Sequence, residues 1–205
     1  MCWINLYSIM DLTQGTPKEK NIRAKKMMLW FGIISLVMSF GGLTSAFIVS
    51  STREDWLSNF DLPQSFTAST VLIVMSSIVL YFSKKALQKK QNQLSLSLLI
   101  GAFILGLGFI YTQFSGFNEI IASGFNFTGP TSNITMSYIY VIAVVHILHV
   151  VAGLICLSVV TINHLKKKYS PTNKLGFDLA ATFWHFVDIL WLYLFFFLYF
   201  FNKIN

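Results

Sequence analysis

The 205-residue chain is 55% hydrophobic and 11% charged, with a mean hydropathy of +0.63. This composition excludes an ordinary soluble domain or a disordered chain, and it indicates a protein that crosses a membrane several times. The net charge of +7 needs no nucleic-acid partner, because basic residues are common in the loops of membrane proteins. Cys2 and Cys156 are too few for a disulfide framework.

Five apolar stretches are long enough to cross a bilayer as α-helices, at about residues 27–50, 66–82, 94–113, 138–162 and 179–201. They predict an all-α, polytopic membrane domain over residues 27–205. Residues 1–26 are expected to form a cytoplasmic segment without a cleavable signal peptide. The segment from Phe114 to Ser137 is rich in glycine and poor in charge, which predicts an irregular loop over the membrane surface.

The basic residues predict how these helices are oriented. Of the 15 Lys and Arg residues, only Arg53 and Lys203 fall outside three segments: the one before the first stretch, the one after the second and the one after the fourth. In an arrangement of five spans these three segments share one side. Because cytoplasmic loops are enriched in Lys and Arg, we expect the amino terminus in the cytoplasm and the carboxy terminus outside.

Small residues follow one face of the first stretch. At 100° per residue, Gly32, Ser35, Ser39, Gly42 and Ala46 lie within a narrow sector of the helix. Small side chains allow two helices to approach closely. This face is therefore predicted to pack tightly against another helix.

The fifth stretch holds the one acidic side chain that we predict in the membrane interior. Asp188 stands three residues after His185, so both project from one helical face. An acid at this depth costs roughly 2.5–3.5 kcal/mol on insertion scales, so Asp188 requires a partner. His185 is one candidate, and His146 and His149 of the fourth stretch lie at an overlapping depth. A buried polar pair that joins helices is one interpretation, and a proton path or an ion site is the other.

A metal site or an autonomous active site is not indicated. His146 and His149 are two ligands, whereas a protein metal site needs three or four. The sequence shows no nucleophile with an adjacent base, no Gly-rich phosphate loop and no paired carboxylates. We therefore predict no catalytic residue, no metal site and no cofactor held by this chain.

Two runs near the end of the chain resemble a known family. Residues 183–192, FWHFVDILWL, are similar to the last-helix signature of subunit III of the haem-copper terminal oxidases. Residues 145–153, VHILHVVAG, resemble the preceding helix of that family, and the loop between the two runs fits as well. In the helix that corresponds to the first stretch, the family normally has a buried glutamate, and this chain has Leu36 in its place.

The resemblance implies the short, five-helix form of this subunit, in a bacterial inner-membrane complex that reduces oxygen to water and pumps protons. It implies a cytochrome c oxidase with haem and copper in partner subunits, subunit I as the main contact, and bound phospholipid. A larger respiratory supercomplex is a further partner that it allows. The expected polar core consists of His146, His149, Trp184, His185 and Asp188. Leu36 removes the carboxylate to which a proton-collecting role is usually assigned.

Two alternatives within the family are a quinol oxidase subunit and the accessory protein of nitric oxide reductase. Electron donor specificity resides in a different subunit, so the sequence leaves the donor open. An alternative from another class is a small membrane transporter. Against it, the predicted helices contain few polar residues, no Gly or Pro pattern breaks a helix in mid-span, and no internal repeat is evident.

Overall fold

The computed structural model describes residues 15–57, 62–127, 129, 133–169 and 174–204. Residues 202–204 are described by their backbone only. Within these ranges it has five α-helices: α1 (Pro17–Ser50), α2 (Gln64–Gln88), α3 (Asn92–Ala122), α4 (Ile134–Leu165) and α5 (Leu175–Ile204). Each is long and apolar enough to cross a membrane. The predicted all-α fold with five transmembrane helices is confirmed.

Each helix extends beyond both ends of the apolar stretch that predicted it, except that α1 ends where its stretch ends. The prediction of an irregular segment from Phe114 to Ser137 is wrong at both ends, because α3 continues to Ala122 and α4 begins at Ile134. Helix α1 begins inside the predicted amino-terminal segment, where Thr16 and Glu19 form a capping box. Hydropathy marks the part of a helix in hydrocarbon, whereas caps such as this one mark where the helix ends.

Four of the helices form a closed bundle, and α1 lies outside it. Helix α2 packs along α3, α3 packs on α4, α4 packs on α5, and α5 closes the ring by packing on α2. In the described part of the chain, α1 contacts only α4 and α5. The core therefore lies between α2, α3, α4 and α5.

Polar contacts between helix ends show how the helices run. Lys84 Nζ lies 2.9 Å from Asp178 Oδ1, which joins the carboxyl end of α2 to the amino end of α5. At the opposite end of the bundle, Ser50 Oγ and Tyr138 OH are 2.8 Å apart, which joins the end of α1 to the start of α4. The basic segments before α1 and after α2 and α4 thus share one end. That this end faces the cytoplasm stays a prediction.

The small-residue face of α1 does not pack against another helix of the described chain, so its contact with a helix stays a prediction. A Cβ atom added at Gly32 or Gly42 would meet nothing within 4 Å, and Ser35 and Ser39 are exposed. Helix α1 instead contacts α4 and α5 through the opposite face. The buried residues of that face are Ile33, Phe40, Thr44 and Phe47.

Candidate functional site

Four polar residues in the middle of helix α5 lie on two adjacent faces. Trp184 and Trp191 are seven residues apart, nearly two helical turns, and both point into the bundle with at most 1% of their surface exposed. His185 and Asp188 lie on the face beside α2. The two faces have different surroundings, so we describe them separately.

Each indole N–H of the inner face donates to a hydroxyl group of α2. Trp184 Nε1 lies 3.1 Å from Ser76 Oγ, and that hydroxyl donates to the Ala102 carbonyl of α3 at 2.9 Å. Trp191 Nε1 lies 3.0 Å from Thr70 Oγ1. A buried indole needs such an acceptor. These bonds join α5, α2 and α3 in the bundle interior.

The ring of Trp184 also requires glycine on two neighbouring helices. A Cβ atom at Gly106 of α3 would lie 2.6 Å from its Cη2 atom. A Cβ atom at Gly153 of α4 would lie 2.9 Å from its Cε3 atom. Real Cβ atoms do not approach other atoms so closely, so these two glycines provide the space that the indole occupies.

The outer polar face borders a cavity of about 380 Å³ between α2 and α5, which we call the α2–α5 groove. Asp188 lines it and is only 3% exposed, yet neither of its carboxylate oxygens has a hydrogen-bond partner among the described residues. Ser77 lies near this carboxylate, and its hydroxyl oxygen is 2.5 Å from His185 Nδ1, where either atom can be the donor. His185, one candidate partner of Asp188, does not bond to it among the described residues. The groove is lined by Val74, Ser77, Ile78, Tyr81, Phe82, His185, Asp188, Ile189 and Leu192.

His146 lies among aromatic rings and not beside Asp188. Its ring centroid is 5.0 Å from that of Trp191, 5.8 Å from that of Phe109 and 6.2 Å from that of Phe40. The side chain is fully buried, and neither ring nitrogen has a partner in the described part of the chain. His146 therefore acts as a packing residue of the core.

His149, another candidate partner of Asp188, faces α1 and does not bond to Asp188 in the described structure. Its Nδ1 atom bonds to the Val145 carbonyl of its own helix at 2.7 Å, and its ring lies 5.7 Å from that of Phe40. The overlap in depth is not enough to bring the two residues together. Helical periodicity fixes angles between residues of one helix, but it does not fix how one helix is rotated against another.

The sequence reasoning missed the hydroxyl residues of α2. Ser69, Ser76 and Ser83 are spaced seven residues apart, and each is fully buried. Gln113 Nε2 of α3 donates to Ser69 Oγ at 2.8 Å, and Ser83 Oγ donates to the Ser95 carbonyl of α3 at 2.7 Å. The seven-residue spacing in an apolar helix was the signal that could have identified them, because it places all three on one face.

Leu36 is half-buried and packs against the hydrophobic core, so an apolar side chain fills the position of the family glutamate. Among the described residues, no three His, Cys, Asp or Glu side chains are grouped so that they could hold a metal ion. The arrangement can therefore support packing and hydrogen bonding. Asp188 and His185 are the polar groups that it leaves available in the groove.

Comparison with known proteins adds the following matches. A family model described as cytochrome c oxidase subunit III matches residues 23–203. A cytochrome bo(3) ubiquinol oxidase subunit 3 from Buchnera aphidicola subsp. Acyrthosiphon pisum (strain APS) is 31% identical over 194 residues, which are 91% of this chain and 92% of that protein. A cytochrome c oxidase subunit 3 from Bacillus sp. (strain PS3) is 29% identical, over 66% of this chain and 64% of that protein. A cytochrome c oxidase subunit 3 from Papio hamadryas is 28% identical, over 88% of this chain and 69% of that protein.

Proposed function

Because the chain belongs to the cytochrome c oxidase subunit III family, and is a subunit of a haem-copper terminal oxidase of the respiratory chain, we propose that it supports the stability and proton uptake of subunit I. The resemblance of residues 145–153 and 183–192 to this family is confirmed. Members of the family carry no redox centre, so electron transfer and oxygen reduction take place in other subunits.

The observation that carries this proposal is that the polar side chains of the core point inward and join helices of this chain. Trp184, Trp191 and His146 are directed inward, where they hold helices together or pack against them. A chain whose polar groups join its own helices is suited to a structural role, whereas a transporter needs a polar path through its core. The exposed small-residue face of α1 supports contact with a helix of a neighbouring subunit, which is subunit I in this proposal.

For the complex as a whole, we propose that a quinol is the electron donor. The ubiquinol oxidase subunit from Buchnera is 31% identical to this chain, whereas the cytochrome c oxidase subunits from Bacillus and Papio hamadryas are 29% and 28% identical. Cytochrome c is the second candidate, since several relatives carry that name. We place the complex in a bacterial cytoplasmic membrane, with the amino terminus inside and phospholipid around the helices.

Purification of the complex tests both parts of this proposal. An affinity tag on the chain, in mild detergent, should recover the other oxidase subunits together with haem and copper absorption. Oxygen consumption should be fast with ubiquinol and slow with reduced cytochrome c, and the reverse order would favour the second candidate. Recovery of the chain alone, with substrate uptake by vesicles that contain only this chain, would contradict the oxidase role and favour a transporter. Nitric oxide consumption in place of oxygen consumption would assign the complex to the nitric oxide reductases.

A further inference from the structure

The α2–α5 groove opens sideways from the bundle toward the surrounding membrane. Four of its lining residues are between 45% and 64% exposed: Ile78, Tyr81, Phe82 and Ile189. Apart from Ser77, His185 and Asp188, the lining residues are aliphatic or aromatic. The cavity of about 380 Å³ falls within the usual range of ligand sites, about 300–1,000 Å³. A molecule dissolved in the membrane can therefore enter it without crossing the protein.

One side of this groove carries two polar residues that can bond to a ligand, Asp188 and His185. Both oxygens of the buried Asp188 carboxylate lack a hydrogen-bond partner within the described residues. One turn earlier, His185 uses Nδ1 for Ser77, and this leaves Nε2 for another molecule. A buried polar group without a partner is unfavourable, so a ligand that bonds to both residues would be favoured.

The depth of these groups excludes a phospholipid headgroup. Asp178 forms its ion pair with Lys84 where α5 begins, and Asp188 follows ten residues later. At 1.5 Å per residue the carboxylate lies about 15 Å deeper, close to the middle of a hydrocarbon core of about 30 Å. Lipid headgroups stay at the surface, and acyl chains offer no hydrogen bond.

The remaining requirements are those of a membrane quinone. The ligand must be soluble in the membrane, uncharged, and able to bond to two polar groups about one helical turn apart. A quinone ring supplies carbonyl acceptors, and its quinol form supplies hydroxyl donors. Asp188 and His185 Nε2 can each serve as acceptor or donor, depending on protonation, so they complement both forms. Tyr81 and Phe82 provide aromatic contacts at the wall.

We propose that the α2–α5 groove binds the headgroup of a membrane quinone or quinol through Asp188 and His185. The binding involves no electron transfer in this chain. It does not depend on the electron donor of the oxidase, because respiratory membranes contain quinones in either case, and it uses residues of this subunit only.

Photolabelling of the complex in its native membranes tests this site. The probe is an azido-substituted ubiquinone with a short isoprenoid tail, and labelled peptides are identified by mass spectrometry. We expect label on the peptides of α2 and α5 that contain Phe82 and Ile189, and protection by excess decylubiquinone. Because peptides are mapped individually, label on any quinone site of another subunit is distinguished from label in the groove.

Two variants of different kinds separate ligand binding from folding. Asp188→Leu removes a hydrogen-bonding group and should reduce labelling of the groove about tenfold or more, the effect of one buried hydrogen bond. Ile78→Trp fills the groove from its exposed rim and should reduce labelling by a similar factor. The matched control is Ile104→Trp, because Ile104 of α3 is 60% exposed and does not line the groove. It should leave labelling unchanged.

Three results would overturn the proposal. The first is that the wild-type complex takes up no label in the groove. The second is that both groove variants are labelled as strongly as the wild type. The third comes from a photoreactive amino acid in place of Ile189, which is 64% exposed. Crosslinks from this position only to another subunit or only to phospholipid would show that a protein helix or acyl chains occupy the groove, whereas crosslinks to quinone would agree with the proposal.

Discussion

The indole N–H of Trp184 donates to Ser76 Oγ at 3.1 Å, and this bond connects α5 to α2 in the bundle interior. The Ser76 hydroxyl in turn donates to the Ala102 carbonyl of α3. One hydroxyl group thus satisfies the buried indole and links three helices. This arrangement explains why a small polar residue lies at a fully buried position of an apolar helix.

Ser76→Ala should destabilise the bundle by roughly 0.6–2 kcal/mol, because it leaves the Trp184 N–H without an acceptor. SDS-induced unfolding in mixed micelles, followed by circular dichroism, measures the change. The control is Ser158→Ala, since Ser158 Oγ bonds only to the Leu154 carbonyl of its own helix. Equal stability of the two variants would show that the bond between helices contributes nothing.

Gly106→Ala and Gly153→Ala should each destabilise the chain by about 1–3 kcal/mol, the usual range for overpacking of a core. Each added methyl group would lie within 2.9 Å of the Trp184 ring. The same unfolding assay applies, and Gly32→Ala is the matched control because its added methyl group meets nothing within 4 Å. In a double-mutant cycle, Trp184→Leu should relieve most of the cost of Gly153→Ala. Full additivity would mean that the indole is not the group that the methyl displaces.

His146→Leu should leave stability unchanged or raise it by up to about 1 kcal/mol. The substitution removes two ring nitrogens that have no partner in the described part of the chain. It places an apolar leucine side chain among the aromatic rings. By contrast, His164→Leu should destabilise, because it removes the contact of His164 Nε2 with the Asn92 carbonyl at 3.0 Å. A loss with His146→Leu as large as with His164→Leu would show that His146 makes a polar contact in the complex.

The orientation is tested by single cysteines in a background with Cys2→Ser and Cys156→Ser. Thr52 follows α1 and Lys166 follows α4, both exposed and at opposite ends of the bundle. With the amino terminus inside, a membrane-impermeant maleimide should label Thr52→Cys in intact cells and label Lys166→Cys only after the membrane is opened. The opposite pattern would reverse the topology without changing the fold.

The fold was predictable because hydrocarbon imposes long apolar helices, and five such stretches are plain in the sequence. Helix ends were less predictable, since the carboxyl part of α3 around Glu119 is polar but remains helical. The neighbours of Asp188 were not predictable. The sequence places Asp188 and His149 at similar depths, but α5 is rotated so that Asp188 lines the groove beside α2 while Trp191 meets His146 of α4. In this orientation, Trp184 occupies the space that Gly106 and Gly153 leave.

Asp188→Asn in the assembled oxidase distinguishes a binding group from a proton carrier. A proton-transfer group typically contributes about 10²-fold or more to a rate, and it needs a second group to exchange protons with. Within the described residues, neither carboxylate oxygen of Asp188 has a hydrogen bond to another titratable side chain. We therefore expect oxygen consumption within about twofold of the wild-type rate. The amount of this subunit in the purified complex is measured in parallel, so that loss of the subunit is not mistaken for slow turnover. A fully assembled complex with a much larger fall in rate would instead assign Asp188 to proton transfer.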